Sequence, residues 1–156
     1  MVDGARPPSR LTAMRQASVE RQGGYAAAVA RGAAAREQWF TSGELVPASV
    51  LAERWKLTAR ALGAAAKRGE VFALLRGRRR YHPSEFLTLG RDAVSGICLA
   101  LSGLSPETQL VFWKRTHGAL GGKTVCDFLG RSGAGEEQVR RVVALAQAWA
   151  AESNGR

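Results

Sequence analysis

Apolar residues recur at helical spacing through most of the chain, and the pattern breaks once, just after residue 70. Ala17 to Trp39 is rich in Ala, Arg, Glu and Gln, all good helix formers, and predicts a helix from about Tyr25 to Phe40, with Gly23, Gly24 and Gly32 as interruptions. Thr41 to Glu44 carries turn residues. Pro47 suits the first turn of a new helix, in which Val50, Leu51 and Trp55 fall at helical spacing. Lys56, Leu57 and Thr58 interrupt it. Thr58 can accept the early N–H groups of a second helix, Ala59 to Arg68, and Gly69 stands where a left-handed C-terminal cap belongs. The pattern is that of two short helices joined by a tight turn.

Beyond Gly69 the period shortens. Val71 to Leu75, then Gly77, then basic residues and Tyr81 predict two short strands around a turn, a wing beside the second helix. Pro83 to Leu89 reads as a short helix, and Asp92 to Leu101 as a longer one whose nearly uninterrupted small apolar residues predict burial on most faces. Ser105 and Pro106 open the next helix as cap and first residue; it carries Leu110, Val111, Phe112 and Trp113 and is expected to run to Leu120, ending at Gly121 and Gly122. Thr124 to Leu129 follows as a short helix. A last helix, Glu136 to about Glu152, places Val139, Val142, Val143, Leu145, Ala146 and Trp149 on one broad face. Residues 1–16, with Gly4, Pro7, Pro8 and Ser9 among arginines, bury too little surface to offset ordering and read as a tail.

Composition sharpens this picture. In 156 residues, 46% hydrophobic content is enough for a packed core, and the net charge of +10 draws the chain toward polyanions. No apolar run approaches the roughly 18 residues of a membrane span, and Met1 to Arg10 has no apolar segment behind its charges. Cys98 and Cys126 sit inside apolar helical patterns without a C-x-x-C arrangement, so they read as small buried hydrophobes, and a cytoplasmic setting is expected.

The charge is uneven. Residues 41–90 hold nine basic and four acidic groups, and Arg76, Arg78, Arg79 and Arg80 crowd around Gly77. Guanidinium groups bind phosphate oxygens in pairs, so an arginine-rich turn beside a helix is a candidate clamp on a nucleic-acid backbone. On the second helix the outward candidates are Thr58, Arg60, Gly63, Lys67 and Arg68, with Arg60 placed to read guanine. Ala59, Gly63, Ala64, Ala65 and Ala66 supply no hydrogen-bonding side chain, so affinity is expected to owe more to phosphates than to bases.

Signals for catalysis fail on spacing. Gly122-Lys-Thr ends like a phosphate-binding P-loop, but the first glycine of that motif would fall at His117; a helix C-cap followed by an N-cap accounts for Gly121 to Thr124. His82 and His117 stand far apart, neither at ligand spacing from a Cys or carboxylate. No enzyme, metal or cofactor is expected.

Gly43 to Leu62, Lys67 to Leu74 and Gly77 to Pro83 together resemble the N-terminal part of Xre/MbcA/ParS-type antitoxins, with a helix-turn-helix and wing shared with MerR-like and excisionase-like regulators. Leu104-Ser-Pro-Glu-Thr-Gln-Leu-Val-Phe-Trp, Leu120-Gly-Gly-Lys-Thr with Leu129 behind it, and the late helix from Glu136 resemble the family's toxin-binding domain, although Val125 stands where the family has proline. The resemblance implies a dimer that represses its own promoter and neutralises a toxin, often of the RES type, which destroys NAD. Trp113, Lys123, Arg131 and Trp149 are the positions it offers to such a partner.

The expected fold is thus mainly α, a helix-turn-helix with a short β-hairpin wing plus a C-terminal helical bundle. The expected divisions are a tail (1–16), an N-terminal helix (17–40), a winged helix-turn-helix (41–90) and a toxin-binding and dimerisation domain (91–156). The expected function is a DNA-binding, antitoxin-like autoregulator that binds double-stranded DNA and a toxin and touches no membrane. The alternatives are a stand-alone MerR-like or excisionase-like regulator, or an interaction adaptor that has lost DNA binding.

Overall fold

The computed structural model describes residues 32–130 and 135–154. The expected tail, and the part of the N-terminal helix before residue 32, lie outside them. Residues 32–41 are helical (α1). Within α1 the Arg36 guanidinium lies 5.6 Å from the centre of the Phe40 ring, and the Thr41 hydroxyl donates back to the carbonyls of Glu37 and Gln38. This helix belongs to one unit, Met1–Thr41; the remainder, Ser42–Arg156, forms a second.

The second unit begins with a strand that the sequence reading missed. Leu45–Pro47 (β1) was expected to be turn and helix start, but Leu45 is buried and Val46 pairs with His82 across the sheet. A three-residue strand ending in proline has no alternation long enough to read. Helix α2 (Ala48–Trp55) follows with Leu51 and Ala52 buried, and ends at Lys56, whose left-handed backbone (φ 57°, ψ 44°) turns the chain sharply. Thr58 then caps α3 (Ala59–Lys67), its hydroxyl oxygen accepting the Ala61 N–H at 3.0 Å. After α3, Gly69 takes φ +80° and also passes so close to the next layer that a Cβ there would stand 3.0 Å from the Cβ of Ser102. Only glycine meets both demands.

Strands β2 (Leu74–Arg76) and β3 (Arg79–Pro83) form the expected hairpin, and β3 is central in a three-stranded antiparallel sheet of order β1-β3-β2. Val71 and Phe72, expected in the first strand, instead enter the core ahead of it. The two-residue loop has Gly77 at φ +63° and Arg78 at negative φ, the signature of a type II′ turn. A 3-10 turn, Ser84–Leu87, then inserts Phe86 into the core. Phe86 meets Trp55 (ring centres 6.3 Å apart), Phe72 (5.7 Å), His82 (6.4 Å) and Trp113 (5.0 Å).

Helix α4 (Arg91–Leu101) buries Val94, Ile97, Cys98 and Leu101, but Leu99 is 50% exposed, so burial is confined to one side rather than most faces. Helix α5 starts as expected, with Ser105 capping and Pro106 first, but stops at Lys114 instead of Leu120. Arg115 is extended, and the buried His117 ring donates from Nε2 to the Phe112 carbonyl at 2.8 Å, holding the chain in a new direction. Residues Gly118–Leu120 make a 3-10 turn that closes on a His117–Lys123 bridge, with Gly121 and Gly122 both at positive φ. Thr124 caps α6 (Val125–Leu129), so the Gly-Gly-Lys-Thr string is a C-cap followed by an N-cap, as its spacing indicated. Helix α7 (Glu136–Asn154) buries Val142 and Ala146 and packs along α4. The whole is mainly helical with one small sheet.

Candidate nucleic-acid interface

On α3, positions 60, 63, 64 and 67 are successive neighbours along one helical face, so Arg60, Gly63, Ala64 and Lys67 line up together. Arg80 reaches this face from β3. Its Nη1 atom lies 3.3 Å from where a Gly63 side chain would begin, between the positions of Arg60 and Lys67. Helix and hairpin therefore present their cations on one surface. A Cβ at 63 would nudge only the end of a flexible arginine, so the glycine eases this approach without being indispensable to it.

The hairpin adds more charge. Arg76 pairs directly with Arg79 across the strands, and Leu75 with Arg80. Between Glu53 and Glu85 the only acid in the sequence is Glu70, and it is engaged: its Oε2 receives Arg68 at 2.6 and 2.7 Å. Arg68 is thereby turned to an internal partner, whereas Arg60, Lys67, Arg78, Arg79 and Arg80 are exposed. Thr58 spends its oxygen lone pair on the α3 cap and keeps its hydroxyl proton to donate. Lys56, exposed in the turn before α3, is a further cation, which the sequence reading treated only as an interruption.

Beneath this surface His82 is 1% exposed, and its Nδ1–H donates to the Phe72 carbonyl at 2.8 Å. Burial, with the Arg80 charge adding to it, lowers its pKa from 6.5 to about 4, so the ring is neutral near neutral pH. Cys98 is wholly buried, and loss of solvation pushes its thiol far above the usual range.

The positions offered to a protein partner fare differently. Trp113 is 0% exposed between Phe86 and Phe112, so it belongs to the core and cannot meet a partner without opening it. Trp149 is half-buried against Phe112, with ring centres 5.5 Å apart. Lys123 is exposed on the loop closed by His117, and Arg131 lies outside the described residues. Burial thus removes Trp113 from any such patch, whereas Arg60, Lys67 and Arg80 come together on one surface.

Among the described residues, no cluster of three or more His, Cys, Asp or Glu side chains is placed to hold a metal, and no helix is long and apolar enough to cross a membrane. Comparison with protein-family models, curated proteins and solved structures returns no match for this chain.

Proposed function

We propose that the chain is a DNA-binding regulator that grips duplex DNA with the Arg60–Lys67 face of α3 and the arginines of the β2–β3 hairpin. The reading is supported above all by Arg80 lying over Gly63, which joins helix and hairpin into one cation surface, with Glu70 held by Arg68. The chain order of strand, two helices across a tight turn, and hairpin suits a winged helix-turn-helix, in which the second helix enters the major groove while the wing clamps the backbone. The alanine-rich α3 face leaves Arg60 as its one side chain suited to a base edge, so phosphates and groove shape carry most of the affinity. An antitoxin-like role, dimeric with a RES-type toxin as partner, rests on the sequence resemblance, and the burial of Trp113 moves any partner contact toward Lys123 and the end of α7.

The test is fluorescence anisotropy against the upstream DNA of the protein's own gene and a scrambled duplex, across a salt series. The expected outcome is preference for the upstream duplex that persists near physiological salt. Replacing Arg78, Arg79 and Arg80 together by Ala is expected to flatten the slope of log K against log salt by roughly 2 to 3. Arg60→Ala is expected to weaken the preference as well as the affinity. Unchanged affinity in the triple variant would remove the wing from the interface, and no binding by the intact chain would favour the adaptor reading.

A further inference from the structure

The hairpin, the end of α3 and the α4–α5 connection enclose a cleft of about 320 Å³, within the range that small-molecule sites occupy. Phe72, Leu75, Leu104 and Pro106 give it apolar walls, and no acidic side chain lines it. Two polar groups interrupt those walls. Arg80 lines one side, and no described residue offers its guanidinium an ion pair. Gln109 lines another side and is 5% exposed; its Nε2 donates to the Leu104 carbonyl at 2.9 Å, while its Oε1 is buried without a donor. The Gln109 oxygen lies behind the wall and not open to the cleft, so the cation without a counter-ion and the apolar walls define the complement: an acid group on an apolar body.

We propose that this cleft binds a small organic carboxylate with an apolar body, and that the bound acid draws Arg80 away from nucleic-acid phosphate, making the hairpin's grip responsive to a ligand. The first half stands on the cleft alone; the second rests on the DNA-binding reading above. Arg80 is the hinge between them, because it is both a wall of the cleft and the hairpin residue that lies over α3.

Indole-3-acetate has the required carboxylate and apolar ring, and serves as the probe, titrated calorimetrically into the full chain. Saturable binding is expected, weakened at least about tenfold by Arg80→Gln. Leu75→Glu, which sets a carboxylate across the strand pair from Arg80, is expected to abolish it. Both positions are exposed, so neither change disturbs the core. Uncharged 3-methylindole is expected to bind the unmodified chain and Arg80→Gln alike and weakly. In anisotropy, saturating probe is expected to weaken duplex binding several-fold in the unmodified chain and not in Arg80→Gln. Absence of probe binding, or binding that ignores both substitutions, would overturn the site. Probe and duplex that bind without affecting each other would overturn the regulation. A chain that takes up the probe but binds no duplex would refute the DNA reading while upholding the cleft.

Discussion

His82 shows how a single side chain ties the hairpin to the rest of the molecule. Its ring is buried beside Phe86 and its Nδ1–H is used on the Phe72 carbonyl, so a second proton would have to enter a site without solvent and beside Arg80. Because burial lowers the folded pKa to about 4 from 6.5, the unfolded chain takes up a proton first as pH falls. Stability contributed by neutral His82 is therefore complete above about 6.5 and declines as the pH drops toward 4, by up to roughly 3 kcal/mol. Urea midpoints measured from pH 7.5 down to 5.2, above most carboxylate titration, are expected to fall steadily, and His82→Gln is expected to flatten that dependence. A flat profile in the unmodified chain would show that the ring is protonated in place or reached by water. The sequence showed only that this histidine has no metal-ligand spacing, because its burial depends on Phe72 and Phe86, which reach it only through the hairpin and the 3-10 turn.

At the scale of elements, the turn between α2 and α3 carries a conflict between stability and site. Lys56 is the one described non-glycine residue in the left-handed region, which costs a side chain roughly 1 to 2 kcal/mol, whereas glycine there would add about 0.5 to 1 kcal/mol of unfolded-state entropy. Lys56→Gly is therefore expected to raise stability by about 0.5 to 1 kcal/mol in chemical denaturation. On the proposed function it is also expected to weaken DNA binding, since it removes an exposed cation from the approach to α3. A variant that is more stable and binds equally well would exclude Lys56 from the interface. The same segment shows what the sequence made legible. Thr58 and Gly69 bounded α3 through local chemistry, and Gly77 placed the hairpin turn, so these elements could be read from the residues themselves. β1 could not be read, since its pairing with β3 is decided some 35 residues away, and the end of α5 was hidden because His117 terminates it through its own side chain. Of the candidate site, the arginines were evident as composition, but the placing of Arg80 over Gly63 and the capture of Arg68 by Glu70 are tertiary facts.

Across the second unit as a whole, one core passes through position 90, where the sequence suggested a division. Phe86, from before that point, packs edge-on against Trp113 from beyond it, and Glu85 holds Lys114 at 2.6 Å while the same ammonium donates to the Glu44 carbonyl at 3.1 Å. A helix pair and hairpin without α4 and α5 would leave Phe86, Phe72 and Val71 facing water, an apolar surface that a segment of this size has no other means to cover. Residues 42–154 are therefore expected to unfold in one transition, and a chain ending at residue 90 is expected to show no cooperative thermal melt by circular dichroism. Trp113→Ala, which empties the centre of this shared core, is expected to cost about 3 to 5 kcal/mol. Trp113→Phe is expected to cost much less, because the indole N–H it removes has no partner, so only the lost ring volume counts against it. If the truncated chain melts cooperatively near the temperature of the intact one, the aromatic contacts across position 90 are packing between independent parts, and ligand or partner binding on the α4–α5 side could not then be transmitted to the hairpin through a common core.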